Sequence, residues 1–439
     1  MSDTIFALAT APGRAALAII RVSGPGAAAA LAAFAGALPK PREAAHRRIR
    51  DPDSGEAIDD GIVLYFAAPA SLTGEDVAEL QLHGGRAVLA AVMAHLARRP
   101  GFRLAEPGEF TRRAFLNGKL DLTEAEAVAD LVAAETAAQR RQALRQLAGE
   151  FGRLCEAWRA RLIRAQARLE AEIDFPEEDL PRELWAEARA EARALRAEIA
   201  GHLALRGGER LRDGVSVAIL GPPNAGKSSL MNALARRDVA ITSSVAGTTR
   251  DVIEVALDLE GYPVILADTA GLRAVGDEVE AEGVRRARAR AEEADLRLVM
   301  VDATRPEEAQ ILRPLINDEA IVVANKIDLR PVDGGAWADA LAREPASRLS
   351  IATGEGFGAL IARLAAAVAG LLGAGGAPLV TRTRHRAALE VCVAALDRFA
   401  QARLPELAAE DLRAAAHALG RITGRIDVED MLDALFRES

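Results

Sequence analysis

The octapeptide GPPNAGKS, residues 221–228, satisfies the pattern G-x-x-x-x-G-K-[ST]. The apolar run VSVAIL precedes it and SLMNALAR follows. A strand entering the loop and a helix leaving it are what the pattern needs, because backbone N–H groups and the helix N-terminus must converge on phosphate oxygens. This arrangement commits the surrounding chain to strands alternating with helices, and Val215 to about Gly373 alternates in that way. The expected architecture there is a doubly wound, mostly parallel sheet of the Ras type.

Within that sheet, Lys227 is placed to reach the β and γ oxygens and the Ser228 hydroxyl to ligate Mg²⁺. Asn224, Ala225, Gly226 and Ser229 complete the loop around the phosphates. DTAG (Asp268, Thr269, Ala270, Gly271) follows the strand-like PVILA, where a metal-facing aspartate belongs. NKID follows IVVA: Asn325 and Lys326 are read as base-pocket residues, and the Asp328 carboxylate can accept from guanine N1–H and the 2-amino group. Adenine lacks that donor pair, and a buried carboxylate left unpaired rejects the wrong base. Ser350, Ile351 and Ala352, at the start of SIATGEG, are placed against the base. Three motifs in this order imply a GTPase.

ITSSVAGTTRD occupies the slot of the first switch loop. Ser243, Ser244, Val245, Ala246, Gly247, Thr248 and Thr249 are read as nucleotide contacts, with Thr249 the second Mg²⁺ ligand. The residue after DTAG is Leu272, where many small GTPases carry a glutamine that orients the attacking water. Leucine can neither donate nor accept a hydrogen bond, so another residue must hold the water. Glu278, Glu280 and Glu282 are candidates, and spacing does not choose among them. Neutral oxygens from Asn224, Ser243, Val245 and Thr248, beside phosphates, suit a large monovalent cation such as K⁺.

The rest of the chain bounds the partners. Across 439 residues the net charge is −9, which argues against a wholesale nucleic-acid wrapper, so any RNA contact is local or shared with a basic partner. Residues 1–118 read as a small α+β module, and Asp121 to about Arg206 as long helix broken at IDFPEEDLPREL. The chain from Thr381 returns to helix, so the α/β unit is inserted into a helical domain. The boundaries are 1–118, 119–210, 211–375 and 376–439. Cys155 and Cys392 read as buried apolar residues of a reducing, cytoplasmic protein. No export signal is read at the N-terminus, and Leu364–Val380, though uncharged, reads as a short buried helix with a loop. Among 55 basic residues only Lys40, Lys119, Lys227 and Lys326 are lysines, and two of them lie in nucleotide motifs. Lys119 is thereby singled out as well.

Together GPPNAGKSSL, ITSSVAGTTRD, DTAGLR…DEVE and NKID resemble the MnmE/TrmE family of tRNA-modification GTPases. PGRAALAIIRVSG, TGEDVAELQLHGG, EPGEFTRRAFLNGKLDLTEAEAVADL and IDFPEED extend the resemblance over nearly the whole chain. It implies a potassium-stimulated GTPase whose G domains dimerise, with Asn224 on K⁺ and Glu280 acting catalytically through water. It implies an N-terminal folate-binding-like domain that forms a constitutive homodimer. Arg21, Glu79 and Lys119 there match positions that hold 5-formyl- or methylene-tetrahydrofolate. The implied partner is the FAD protein MnmG (GidA), and the implied product an aminomethyl or carboxymethylaminomethyl group at C5 of wobble uridine 34 of tRNA. Two departures stand out: the chain reads ALFRES where the family ends in Cys-Ile-Gly-Lys, and Pro222 where arginine is usual. A rival reading, an rRNA-binding assembly GTPase, calls for a basic appendix; after TRTRHR the tail is instead a mixed-charge helix.

Overall fold

The computed structural model describes residues 3–174, 184–236, 239–241, 254–268, 292–316, 320–330, 332, 337, 345–373 and 379–426. Two compact units divide the chain. One comprises residues 1–129, 147–157 and 419–439, and the other residues 130–146 and 158–418.

In the first unit the strands are β1 (Thr4–Leu8), β2 (Ala15–Ser23), β3 (Ala45–Arg50), β4 (Ala57–Phe66), β5 (Val77–Gly84) and β6 (Phe102–Leu104). They order as β3-β4-β5-β2-β1-β6, with β1 and β6 parallel and the other pairs antiparallel. The period-2 alternation of LAIIRVS and VAELQL sends Ile20, Val22, Leu80 and Leu82 into a core with Leu31 and Phe34 of α1 (Ala27–Ala35) and Val92 and Leu96 of α2 (Arg86–Arg98). Arg21 and Glu79, directly paired in register, therefore stand on the opposite face. The buried Arg113 of α3 (Glu109–Leu116) is held by Asp3, Glu75 and Glu109, so its charge is matched where desolvation would otherwise be costly.

The second unit holds a sheet of β7 (Val215–Leu220), β8 (Glu254–Leu259), β9 (Tyr262–Asp268), β10 (Leu296–Asp302), β11 (Ala320–Asn325) and β12 (Ser347–Arg348). Its order is β12-β11-β10-β7-β9-β8, parallel except for the β8–β9 pair. VSVAIL and AIVVAN are apolar nearly throughout because both faces are covered. Val217, Ile219, Leu298 and Met300 face one core, while Ala218, Leu220, Val299 and Val301 face the other. The doubly wound, mostly parallel sheet expected from the motif spacing is present.

Between Leu122 and Ala204 the helices are α4 (Leu122–Ala133), α5 (Ala137–Leu147), α6 (Glu150–Asp174) and α7 (Leu184–Ala204), followed by α8 (Gly207–Asp213). The helical stretch thus has breaks that periodicity did not reveal. At Gly149 the backbone is left-handed, at φ 74°. Before α5, Gln139 accepts from the Glu135 and Thr136 amides. The acidic Pro-flanked break lies outside the described residues. Beyond these helices lie α9 (Lys227–Ala235), which follows β7, then α10 (Phe357–Leu372), α11 (Thr383–Gln401) and α12 (Pro405–Thr423). Trp158 of α6 is buried and donates to Glu198 of α7 at 2.8 Å, and Arg196 of α7 pairs with Asp397 of α11 at 2.7 Å. Cys155 and Cys392 are both buried, and burial pushes the Cys392 thiol up to about 12. Among the described residues no helix is long and apolar enough to cross a membrane.

Gly356, just before α10, sits at φ 73°, and a Cβ there would collide with the Arg348 carbonyl oxygen. Neither strain can relax without moving backbone. Gly356→Ala is expected to destabilise the second unit by about 1 kcal/mol or more, read as a lower urea midpoint.

Candidate functional site

The nucleotide loop is built by backbone conformations that its sequence permits. Asn224 is left-handed at φ 65° and Gly226 at φ 104°, which turns the chain sharply into α9 at Lys227. A Cβ on Gly226 would run into the Asn325 amide, so only glycine lets the two loops approach so closely. Lys227 is buried at 8% exposure, and its Nζ donates to the carbonyls of Gly221 at 2.7 Å and Pro222 at 2.9 Å. The ammonium is thus held over its own loop, at the N-terminus of a helix that favours anions.

Asn325 joins three motifs. Its Nδ2 donates to the Ala225 carbonyl at 2.8 Å, and its Oδ1 accepts from the Ile351 amide at 3.3 Å. The side chain is 3% exposed, so both bonds are made away from competing water. Lys326, with φ 66°, pairs with Asp302 at 2.6 Å, and Asp302 also accepts from the Thr304 amide and hydroxyl. Burial raises the Asp302 carboxyl, but the bonds from Lys326 and Thr304 outweigh it and hold it below the usual carboxylate range. Because the folded carboxyl titrates below its unfolded value, the pair's contribution is intact at neutral pH. It is lost only as pH falls through that lowered pKa. The Ser350 loop is closed by Ser350 N–H to Glu355 at 3.0 Å and Gly354 N–H to Ser350 at 2.9 Å.

These elements enclose a cavity of about 800 Å³. The phosphate loop lines one part with Asn224, Gly226, Lys227, Ser228 and Ser229. Asn325, Lys326, Asp328, Ser350, Ile351 and Ala352 line another. The volume lies within the range of small-molecule sites. Ala225 is buried beneath the loop rather than on the wall. Of the other predicted contacts, the Asp268 backbone ends β9. Ser243, Ser244, Val245, Ala246, Gly247, Thr248, Thr249, Thr269, Ala270, Gly271 and Glu280 lie outside the described residues.

Sequence reasoning missed Asp302 as the partner that aims Lys326. No signal in the local sequence points to it, because the link arises from β10 and β11 lying side by side with Asp302 opposite Asn325.

On the first unit's sheet, Arg21 Nε donates to Glu79 Oε1 at 2.9 Å, and the guanidinium lies 5.6 Å from the centroid of the Phe110 ring. Lys119 Nζ donates to the Pro69 carbonyl at 3.0 Å. Asn117 Nδ2 donates to the Thr73 carbonyl at 2.7 Å, so the 69–75 loop is braced by the segment that carries Lys119.

The family model for the MnmE helical domain matches residues 122–438, and that for the N-terminus of the GTP-binding protein TrmE matches residues 4–119. The tRNA modification GTPase MnmE of Paramagnetospirillum magneticum is 57% identical over 441 residues, covering 100% of this chain and 99% of its own. Those of Parvibaculum lavamentivorans and Rhodospirillum rubrum are 56% and 55% identical, over 99% of this chain and 99% and 98% of theirs. The chain belongs to the MnmE family of tRNA modification GTPases. The solved G domain of the T. maritima FeoB iron transporter is 25% identical over 36% of this chain and 99% of its own, with a TM-score of 0.27. As an MnmE-family GTPase the chain binds and hydrolyses GTP, the reading its motifs require.

Asn325→Ala would strip both the Ala225 carbonyl and the Ile351 amide of their buried partner. Leaving such groups unpaired costs about 1–3 kcal/mol, so GTP dissociation constants from calorimetry should rise about tenfold or more. Asp302→Asn, which keeps a hydrogen-bond acceptor near Lys326, should cost less.

Proposed function

We propose that this chain hydrolyses GTP in a potassium-dependent manner and, with the FAD-dependent MnmG, adds an aminomethyl or carboxymethylaminomethyl group to C5 of wobble uridine 34 of tRNA in the cytoplasm. The observation that carries the nucleotide half is the cavity itself, which puts the Asp328 region and the Lys227–Ser228 region on one continuous wall. The full-length likeness to tRNA modification GTPases supports the tRNA half.

In this reading Asp328 receives the guanine N1–H and 2-amino donors, and the Ile351 and Ala352 loop covers the base. Lys227 exchanges its two carbonyl partners for β and γ oxygens. Ser228 and Thr249 would hold Mg²⁺, and Asn224, Ser243, Val245 and Thr248 would hold K⁺. Asn224 and Ser228 fit these roles in lying on the cavity wall with oxygens at its phosphate end. Both ions would supply positive charge against the negative charge that develops on the transferred phosphoryl group. Glu280 orients the attacking water through a second water, the role that Leu272 cannot fill. The water oxygen bonds to the γ-phosphorus as the bond to the β–γ bridging oxygen breaks, which yields GDP and inorganic phosphate.

Arg21, Glu79 and Lys119 form the proposed folate site of a homodimerising N-terminal domain. The Arg21–Glu79 pair supports it, because a carboxylate already oriented by an arginine can accept from a pterin's N–H groups. The folate would supply the one-carbon unit, and the tRNA and MnmG would complete the reacting assembly.

GTP turnover in K⁺ against equal Na⁺ tests the hydrolytic half. Strong K⁺ stimulation is expected, with Glu280→Ala and Glu280→Gln slower on the order of 10²-fold while nucleotide binding is retained. Equal rates in the two salts would sink the potassium mechanism. Normal rates in the Glu280 variants would move the water role to Glu278 or Glu282.

A further inference from the structure

The turn between β3 and β4 and the last turn of α2 bring together three side chains that neither the nucleotide nor the proposed folate site uses. The donor atoms of Asp51, Asp53 and His95 all lie within 4.8 Å of one another. His95 is 5% exposed, with its ring edge-to-face against Phe34 at 5.1 Å between centroids. Its Nδ1 is fully buried, yet it makes no hydrogen bond among the described residues. The nearest carboxylate oxygen, Asp53 Oδ2, is 3.3 Å away but out of hydrogen-bond alignment. A buried ring nitrogen aimed at carboxylates without a bond is a costly arrangement unless something sits between them.

The spacing suits an ion. Donors about 2.0–2.1 Å from a tetrahedral Zn²⁺ lie about 3.3–3.4 Å from each other, the separation seen between His95 Nδ1 and Asp53 Oδ2. Asp51 is already oriented by its own turn, where its Oδ1 accepts from the Asp53 amide at 2.8 Å and the Ser54 amide at 3.0 Å, leaving Oδ2 as the ligand. The Asp53 side chain is 68% exposed, which gives an entry path and room for a water ligand. One group opposes binding: Arg98 Nη2 reaches the same Asp53 oxygen at 3.3 Å, but its side chain is 61% exposed and can move into solvent.

We propose that Asp51, Asp53 and His95 form a divalent transition-metal site that clips the β3–β4 turn to α2. One imidazole and two carboxylates favour Zn²⁺ and its relatives Co²⁺ and Mn²⁺ over Mg²⁺ and Ca²⁺, which take oxygen ligands alone. The ion braces the first unit and takes no part in hydrolysis.

The test is a Co²⁺ titration of the tag-free, chelator-stripped full chain in excess Mg²⁺, followed by visible absorption. One equivalent should give the intense bands of low-coordinate Co²⁺, and Zn²⁺ should abolish them. Asp53→Asn alters an exposed residue, so an unchanged metal-free circular-dichroism melt of the full chain will show that it folds, and Co²⁺ should bind at least about tenfold more weakly. His95→Gln should lose the bands, and Arg98→Gln should bind more tightly because the competing cation is gone. Absence of the bands in the wild type, or unchanged binding in a folded Asp53→Asn, would overturn the proposal.

Discussion

The nucleotide site depends on one buried amide. Asn325 sits at the end of β11, where the sheet delivers it against the phosphate loop, and its donor and acceptor go to two different loops. The phosphate end and the base end of the cavity are therefore fixed to each other through a single side chain rather than through the ligand. That matters for affinity, because a site whose loops are already tied does not use the guanine contacts to order itself. It also bears on the selectivity proposed for Asp328: a carboxylate that reads the base needs its position relative to the phosphates set in advance. Gly226 is the necessary complement, since any side chain there would displace the Asn325 amide.

Much of this was legible from the residues. The loop pattern with its flanking strand and helix demanded a doubly wound sheet, and the structure has one, with both faces of the nearly all-apolar VSVAIL and AIVVAN strands covered. What the residues could not show was the lateral order of the strands. Asp302 illustrates the loss: its link to Lys326 exists because β10 and β11 lie side by side with Asp302 opposite Asn325, and nothing in local spacing announces that pairing. The helical stretch failed for a different reason. Periodicity reports which face is buried but passes smoothly over a break of two or three residues, so the left-handed turn at Gly149 and the Gln139 contacts before α5 went unseen.

The Arg-rich composition has a structural counterpart. Arg113 and Arg161 each serve more than one acidic partner, a use for which a planar guanidinium with several donors is suited and a lysine is not. Where lysine persists at the nucleotide site the demand is different. In the proposed function Lys227 passes from the carbonyls to phosphate oxygens, and Lys326 threads to the Asp302 carboxylate at 2.6 Å. Both roles call for a compact charge on a flexible stem.

The same geometry accounts for Pro222. Among the described residues the loop uses that residue through its backbone: the carbonyl accepts from Lys227 at 2.9 Å and from the Ala225 amide at 3.3 Å. Proline keeps a carbonyl while giving up an N–H, and among the bonds the loop makes here the carbonyl is the group in use. An arginine at this position would contribute the same carbonyl, so the hold on Lys227 is indifferent to the change. In the proposed function phosphate oxygens replace the Gly221 and Pro222 carbonyls, and bonds between opposite charges are stronger than bonds to neutral carbonyls.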